Sequence, residues 1–285
     1  MNDVYLDKQQ LQKNEQYIFV VTPTYNRLTQ IPDMIKTKQA LLISNRIIWI
    51  VIEDFKCSNR LLFNKIGNFP RLVYLHHHLI NPGNSNKGAT QRNFAIRWLK
   101  DHFSNFSTSV VYFADDDNTY DGYFFNRLLK TRMVSIFNVG LIGGKVEGPV
   151  VNHQGTFMEW KTNFHGHFFA TPRRFCIDMA GFAVSLGLLL KHPSPWFTTE
   201  GPRGYLETYF LENLKVPFAK VQILTNNTEV FVYHTKTIFN NSYPTFTFMF
   251  TSPKFLWFCM FSLLIVISYL LLHKPVYYSK VRFWN

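Results

Sequence analysis

Five apolar residues in a row, Val110-Val111-Tyr112-Phe113-Ala114, run directly into three aspartates, Asp115-Asp116-Asp117. A short run of β-branched and aromatic side chains without polar alternation is the pattern of a strand covered on both faces. Ending such a strand in three carboxylates places up to three negative charges at the rim of a sheet, where they repel one another unless a cation offsets them. Hard oxygen ligands in that number suit Mg²⁺ or Mn²⁺, completed by the phosphates of a substrate. The carboxyl ends of strands in an α/β sheet are also where ligands bind. The triplet would equally suit a solvated acidic turn leading into Asn118 and Asp121-Gly122. The metal is the favoured reading because turn acids seldom follow so apolar a strand.

Upstream, strand and helix patterns alternate. Tyr17 to Val21 reads as a strand ending at Thr22-Pro23-Thr24-Tyr25, and residues 29–43 have helical spacing through Ile31, Met34, Ile35, Ala40 and Leu41. Ile47 to Ile52 is a second buried strand, ending at Glu53-Asp54, and Leu72 to Leu75 a third. The turn-rich Pro82-Gly83-Asn84-Ser85-Asn86 opens a helix from about Ala89 to Phe103, with Phe94, Trp98 and Leu99 on one face. After the aspartate strand, Val139 to Ile142 reads as another strand, running through Gly143-Gly144 to Glu147-Gly148-Pro149. Such alternation predicts an α/β fold with a mostly parallel, doubly wound sheet. Right-handed crossovers would bring Tyr25, Asp54 and Asp115 to Asp117 to one edge, as a nucleotide site requires. Residues 150–237 are less regular: 178–184 reads as buried core, an acidic-basic cluster surrounds Pro202 to Glu207, and a last strand lies near Val230 to Tyr233.

The chain has 285 residues, enough for one large core or two modest ones. Its net charge of +12 fits anionic partners such as nucleotide-sugars, phosphates, sulfated glycans or a membrane surface, and fits plain solubility equally well. With no arginine-rich run or nucleic-acid motif, no nucleic acid partner is expected. Cys57, Cys176 and Cys259 form neither a disulfide framework nor a zinc-binding spacing, and leave a Cys57–Cys176 pair open. Sequons at Asn105, Asn226 and Asn240 lean toward a secretory-pathway lumen. Residues 1–16 are a polar tail with no apolar stretch, so no signal peptide or N-terminal anchor is expected there. Beyond a linker at 238–254, residues 255–272 carry no charge and would span about 27 Å as a helix, against about 30 Å of hydrocarbon. A transmembrane helix is expected there. The basic tail 273–285 would face the cytoplasm and residues 17–237 the lumen, an orientation that itself requires an N-terminal signal.

Eight segments in the same order make a more specific pattern. They are Val20-Val21-Thr22-Pro23-Thr24-Tyr25, Ile52-Glu53-Asp54, Gln91-Arg92-Asn93, Val111 to Tyr120, Glu147-Gly148-Pro149, Asp178 to Val184, Pro202 to Glu207, and Val232-Tyr233-His234-Thr235-Lys236-Thr237. Through them residues 17–237 resemble the β-1,3-glucuronosyltransferases of glycosyltransferase family 43, which build proteoglycan linkage regions and related glycan caps. The resemblance implies a GT-A fold, with residues 17–121 as donor half and 122–237 as acceptor half. It implies UDP-glucuronate as donor, Mn²⁺ as metal, and a galactose-terminated glycan or proteoglycan as acceptor. Inversion at the anomeric carbon, a lumenal catalytic domain at the Golgi membrane and a homodimer complete the expectation. Residues 238–285 share nothing with the family tail that contributes to that dimer.

Residue by residue, the resemblance makes Glu207 the general base, although out of context it reads as a helix-surface acid. Asp117 would be the main metal ligand, with Asp115 and Asp116 addressing the ribose or the metal's waters. Pro23 and Tyr25 would frame the uracil, Asp54 would bond its edge, and Arg92 would contact the donor. Arg203, one helical turn before Glu207, would hold the donor carboxylate or phosphates. His234 would donate to the β-phosphate; alone it reads as a structural histidine. Lys87 and Lys236 stand where the family tends to carry arginine, keeping charge but not the bidentate fork. Glu147, Arg173 and Asp178 would bind the terminal galactose, with Phe168 or Phe169 beneath the sugar. Two other readings compete. Phosphoryl transfer also uses strand-end aspartates, but neither an aspartate nucleophile nor a P-loop follows the first strand. A catalytically inactive, membrane-bound glycan-binding relative is opposed by the presence of all three aspartates, Glu207 and His234.

Overall fold

The computed structural model describes residues 6, 11–12, 14–55, 59–77, 88–166, 172–193, 196–198, 202 and 204–237. The expected membrane span at 255–272, its linker and tail, and Cys57, Lys87, Phe168, Phe169, Arg203, Asn240 and Cys259 lie outside the described residues. Among the described residues, no helix is long and apolar enough to cross a membrane. Residues 1–238 form one compact unit.

The first part of the unit alternates as its apolar runs demand. Strand β1 (Ile18–Tyr25) is followed by α1 (Gln30–Leu41), β2 (Ile47–Asp54), α2 (Arg60–Ile66), β3 (Leu72–His76), α3 (Ala89–His102) and β4 (Val110–Phe113). Neighbours β3-β2-β1-β4 are all parallel. Helix α2, absent from the sequence reading, is a short helix started by Asn59, whose side chain accepts from the Leu61 and Leu62 amides.

The second part is built from shorter pieces: β5 (Thr119–Tyr120), α4 (Phe125–Leu128), β6 (Val134–Ile136), β7 (Val139–Ile142), β8 (Lys145–Val151) and β9 (Phe157–Lys161). Then come β10 (Phe182–Ser185), α5 (Leu186–Lys191), α6 (Leu206–Asn213), β11 (Gln222–Ile223) and β12 (Val232–Tyr233). Among the described residues they complete a seven-stranded sheet, β11-β6-β10-β4-β1-β2-β3, and form a five-stranded one, β5-β12-β7-β8-β9. The α/β class is as expected, but the sheet is mixed. Strand β10 runs antiparallel to both β4 and β6. A run such as Phe182 to Ser185 is buried throughout whichever way it points, so its pattern carries no direction.

Alternate side chains of the central strands enter two apolar layers. Phe19, Val21, Ile48, Ile50 and Phe113 pack toward α3 and α6, while Ile18, Val20, Trp49, Val51 and Tyr112 pack toward α1 and α2. Phe113, the strand residue nearest the aspartates with a large ring, is fully buried. Its ring meets Phe182 at 6.0 Å, Phe197 at 5.0 Å and Phe210 at 5.7 Å between centroids. Replacing it removes contacts to β10, to α6 and to the irregular segment at Phe197 at once. Phe113→Ala is expected to lose about 3–5 kcal/mol of stability, and Phe113→Leu less than about 1.5 kcal/mol, as read from chemical denaturation midpoints.

Candidate functional site

The parallel register decides which residues meet at the carboxyl edge of the large sheet. Tyr25 and Asp54 are directly paired across β1 and β2, and Val21 is paired with Phe113 across β1 and β4. The aspartate loop therefore emerges beside the Thr22 to Tyr25 strand end. Tyr25 is 57% exposed, with the Arg27 guanidinium 5.0 Å from its ring centroid. Pro23 lies against the start of α3. There Gly88, at φ +78°, precedes the helix, and a Cβ on it would sit 3.0 Å from both Pro23 Cγ and Arg92 Nη1. Only glycine allows that approach.

Each aspartate has a different environment. Asp115 is ion-paired with Arg92 from α3 and its carbonyl accepts from Tyr120 Oη at 2.7 Å. Asp116 is buried. It accepts from Thr24 Oγ1 and from Arg27 Nη1, each at 2.6 Å, while Thr37 Oγ1 donates to its carbonyl at 3.1 Å. Asp117 is partly buried, and its carbonyl receives Lys36 Nζ at 2.9 Å and Thr235 Oγ1 at 2.6 Å. Its carboxylate forms no ion pair among the described residues. Burial raises the Asp117 pKa, and repulsion from Asp116 and Asp115 adds to it. Asp115 is raised too, by burial, with Arg92 acting against it.

These partners correct the expectation of a cation balancing three carboxylates together. Arginines balance two of them, and among the described residues no group of three His, Cys, Asp or Glu side chains is placed to hold a metal ion. What is left is a single carboxylate with raised pKa at the rim. That donor set fits a hard divalent cation completed by water and substrate phosphates, and does not fit an all-protein cage.

A second cluster adjoins the first. His234 follows β12, its amide donating to the Gly140 carbonyl at 2.9 Å, and its Nδ1 lies 3.4 Å from Asp178 Oδ2. The bond to Asp178 raises the His234 pKa. Asp178 also caps a short turn, its Oδ1 accepting from the Ala180 amide at 3.0 Å. Glu207 stands in the first turn of α6, partly buried. Burial pushes its pKa up to about 7, and repulsion from Asp178 contributes. Buried Arg173 donates to the Ile177 carbonyl at 2.8 Å and lies 3.9 Å from Glu147, which Thr162 also bonds. Burial raises the Glu147 pKa. The charge of Asp178 is felt by Asp115, Glu147, Glu207 and His234, so the structure gathers these predicted residues around one carboxylate.

Other expectations fare differently. Helix α6 begins at Leu206, after Gly204 at φ +83°, and Arg203 lies outside the described residues. Lys236 is exposed, flanked by Thr235 and Thr237, which bond the aspartate loop and Asp33. Cys176 is a free, buried thiol. Arg27 was missed by sequence reasoning. The available signal was a cation two residues beyond the first strand in a fold that brings strand ends together.

Comparison with known proteins gives a consistent result. The description of glycosyltransferase family 43 matches residues 37–238. The chain is 37% identical over 235 residues to galactosylgalactosylxylosylprotein 3-beta-glucuronosyltransferase 1 of Rattus norvegicus, covering 77% of this chain and 69% of that one. It is 36% identical over 242 residues to galactosylgalactosylxylosylprotein 3-beta-glucuronosyltransferase 3 of Homo sapiens, covering 77% and 70%. Among solved structures, S. aureus TarS aligns with a TM-score of 0.48 at 15% identity over 78% of this chain and 37% of that one, a likeness too distant to carry an argument.

The electrostatics of the second cluster can be tested directly. In protein carrying carbon-13 glutamate, Glu207 is expected to titrate near pH 7 by NMR, and Asp178→Asn to move that titration toward lower pH by removing a like charge.

Proposed function

The chain belongs to glycosyltransferase family 43, and on that premise we propose that it transfers glucuronic acid from UDP-glucuronate to the 3-hydroxyl of a terminal galactose, with inversion. The acceptor is a glycan of the proteoglycan linkage region. The observation that carries this reading is the placement of Glu207, a partly buried carboxyl with a pKa near 7, in one charge network with the aspartate loop.

In this reading the exposed Tyr25 ring stacks on the uracil and neighbouring Asp54 bonds its edge, with Pro23 closing the pocket. Arg92 and Asp115, held together, address the donor's ribose and phosphates. Asp117 would hold Mn²⁺, and the cation would supply positive charge against that developing on departing UDP. His234, its pKa raised by the bond to Asp178, donates to the β-phosphate, and Lys236 and Arg203 add positive charge around the donor. Arg173, Glu147 and Asp178 hold the terminal galactose. Glu207 accepts the proton of the galactose 3-hydroxyl as that oxygen bonds to the anomeric carbon and the bond to phosphate breaks. Base catalysis of this kind is worth about 10²- to 10⁴-fold. The setting extends to a Golgi membrane with the catalytic domain lumenal, and to a homodimer. The exposed sequon residues Asn105 and Asn226 are compatible with that lumen.

Two consequences follow from the Glu207 pKa. A base must be ionised, so kcat/KM is expected to rise with pH through about 7 and level off above it. The folded protein holds this proton more tightly than the unfolded chain does. Stability present at low pH is therefore lost as pH rises from 4.5, the ordinary value, to about 7. Glu207→Gln is expected to lose roughly 100-fold or more in transfer from radiolabelled UDP-glucuronate to galactose-β-1,3-galactose. The same variant should bind UDP with Mn²⁺ normally and melt higher than wild type at pH 8. EDTA should abolish transfer by the wild type. Retention of more than about a tenth of activity by the variant would remove Glu207 from the base role, and failure of the wild type to bind UDP would sink the donor assignment.

A further inference from the structure

We infer that Arg27 is a positioning residue for donor binding, locking the aspartate loop, the Tyr25 platform and the segment after His234 into one frame. The inference rests on the proposed donor site and adds to it a residue that acts through the groups it holds.

All three guanidinium nitrogens of Arg27 are engaged. Nη1 donates to Asp116 at 2.6 Å, Nη2 to Asp33 at 2.8 Å, and Nε to Thr29 Oγ1 at 3.1 Å. The pairs are largely out of solvent, with side-chain exposures of 16% for Arg27, 4% for Asp33 and 9% for Asp116. Water screens such pairs little, and losing one partner leaves a buried charge uncompensated. Burial alone would lower the Arg27 pKa, yet its two carboxylates hold it above the ordinary value. A planar fork can serve two carboxylates and a ring face together; an ammonium cannot.

The connections run further. Asp33, on α1, also accepts from Thr237 Oγ1 at 2.6 Å. Two residues before Thr237, Thr235 bonds the Asp117 carbonyl, and one residue before that stands His234. Asp117 is also bonded through its carbonyl by Lys36 from the same helix, and Asp116 by Thr37. Helix α1 thus forms a rail along which Arg27 ties the base platform, the metal-binding loop and the phosphate-side histidine. Supporting residues of this kind alter affinity through the groups they orient, commonly by about 10- to 100-fold.

The test uses the full chain and four variants: Arg27→Ala, Arg27→Lys, Asp33→Ala, and Arg27→Ala with Asp33→Ala. UDP binding in Mn²⁺ is measured by calorimetry, donor and acceptor KM by transfer kinetics, and melting temperature alongside. Arg27→Ala is expected to weaken UDP binding about 10- to 100-fold and raise donor KM in step, leaving acceptor KM within about twofold of wild type. Arg27→Lys should recover part of the loss. The double variant should lose less UDP affinity than the two single losses combined, since Asp33 acts in part through the arginine and in part through Thr237. A purely structural role predicts the opposite split: lower melting temperature and fewer active molecules, with donor KM unchanged. That outcome overturns the inference. Should Arg27→Ala not fold, Arg27→Lys and Asp33→Ala carry the same comparison. If wild type itself fails to bind UDP, the donor site is wrong and this inference falls with it. Wild-type binding with unaltered binding in the variants overturns this inference alone.

Discussion

Charge compensation around the aspartate loop is the constraint on which the rest of the site depends. Three carboxylates at a sheet rim are unfavourable where water is partly excluded, and burial already raises the pKa of Asp115 and Asp117. The fold answers with two arginines from different elements, Arg92 from α3 and Arg27 from the loop between β1 and α1. This arrangement leaves Asp117 as the carboxylate available to a cation. It also ties the loop's conformation to the helices on both sides of the sheet. A buried pair broken on one side leaves a charge stranded, which is why such a loop keeps its geometry.

A second consequence is the proximity of charged residues from the two sheets. Asp178 caps a turn just before β10, in the large sheet, and meets His234, which follows β12 of the small sheet. Asp178 thereby raises the His234 pKa and, by repulsion, adds to the upward shift that burial imposes on Glu207. Two neighbouring groups with pKa values displaced in useful directions are a common mark of acid-base centres. The displacement has a cost in stability, because ionised Glu207 is disfavoured in the folded state.

Legibility varied with the kind of signal. The four parallel strands and helices α1 and α3 were readable because an apolar run or a 3.6-residue spacing identifies an element without reference to its neighbours. Short helix α2 was missed because seven residues give too little periodicity. The antiparallel sense of β10 was missed because a strand buried on both faces reads the same in either direction. In the site, the resemblance picked out Glu207 and His234, whose local sequence alone reads as a surface acid and a structural histidine. Arg27 escaped because its meaning lies in partners 6 and 89 residues away in the chain.

The sequence by itself determined the α/β class, the strand that carries the aspartates, the polar residues at the strand ends and the family to which they belong. These follow from local pattern: burial dictates apolar runs, and chemistry dictates residue type at each strand end. The tertiary structure decided how the charges are shared. Which aspartate is paired with which arginine, which is left open, and how far Glu207 is shifted depend on distances across elements distant in sequence. Electrostatic energy depends on separation in space and on exclusion of water, and neither is written in the order of residues along the chain.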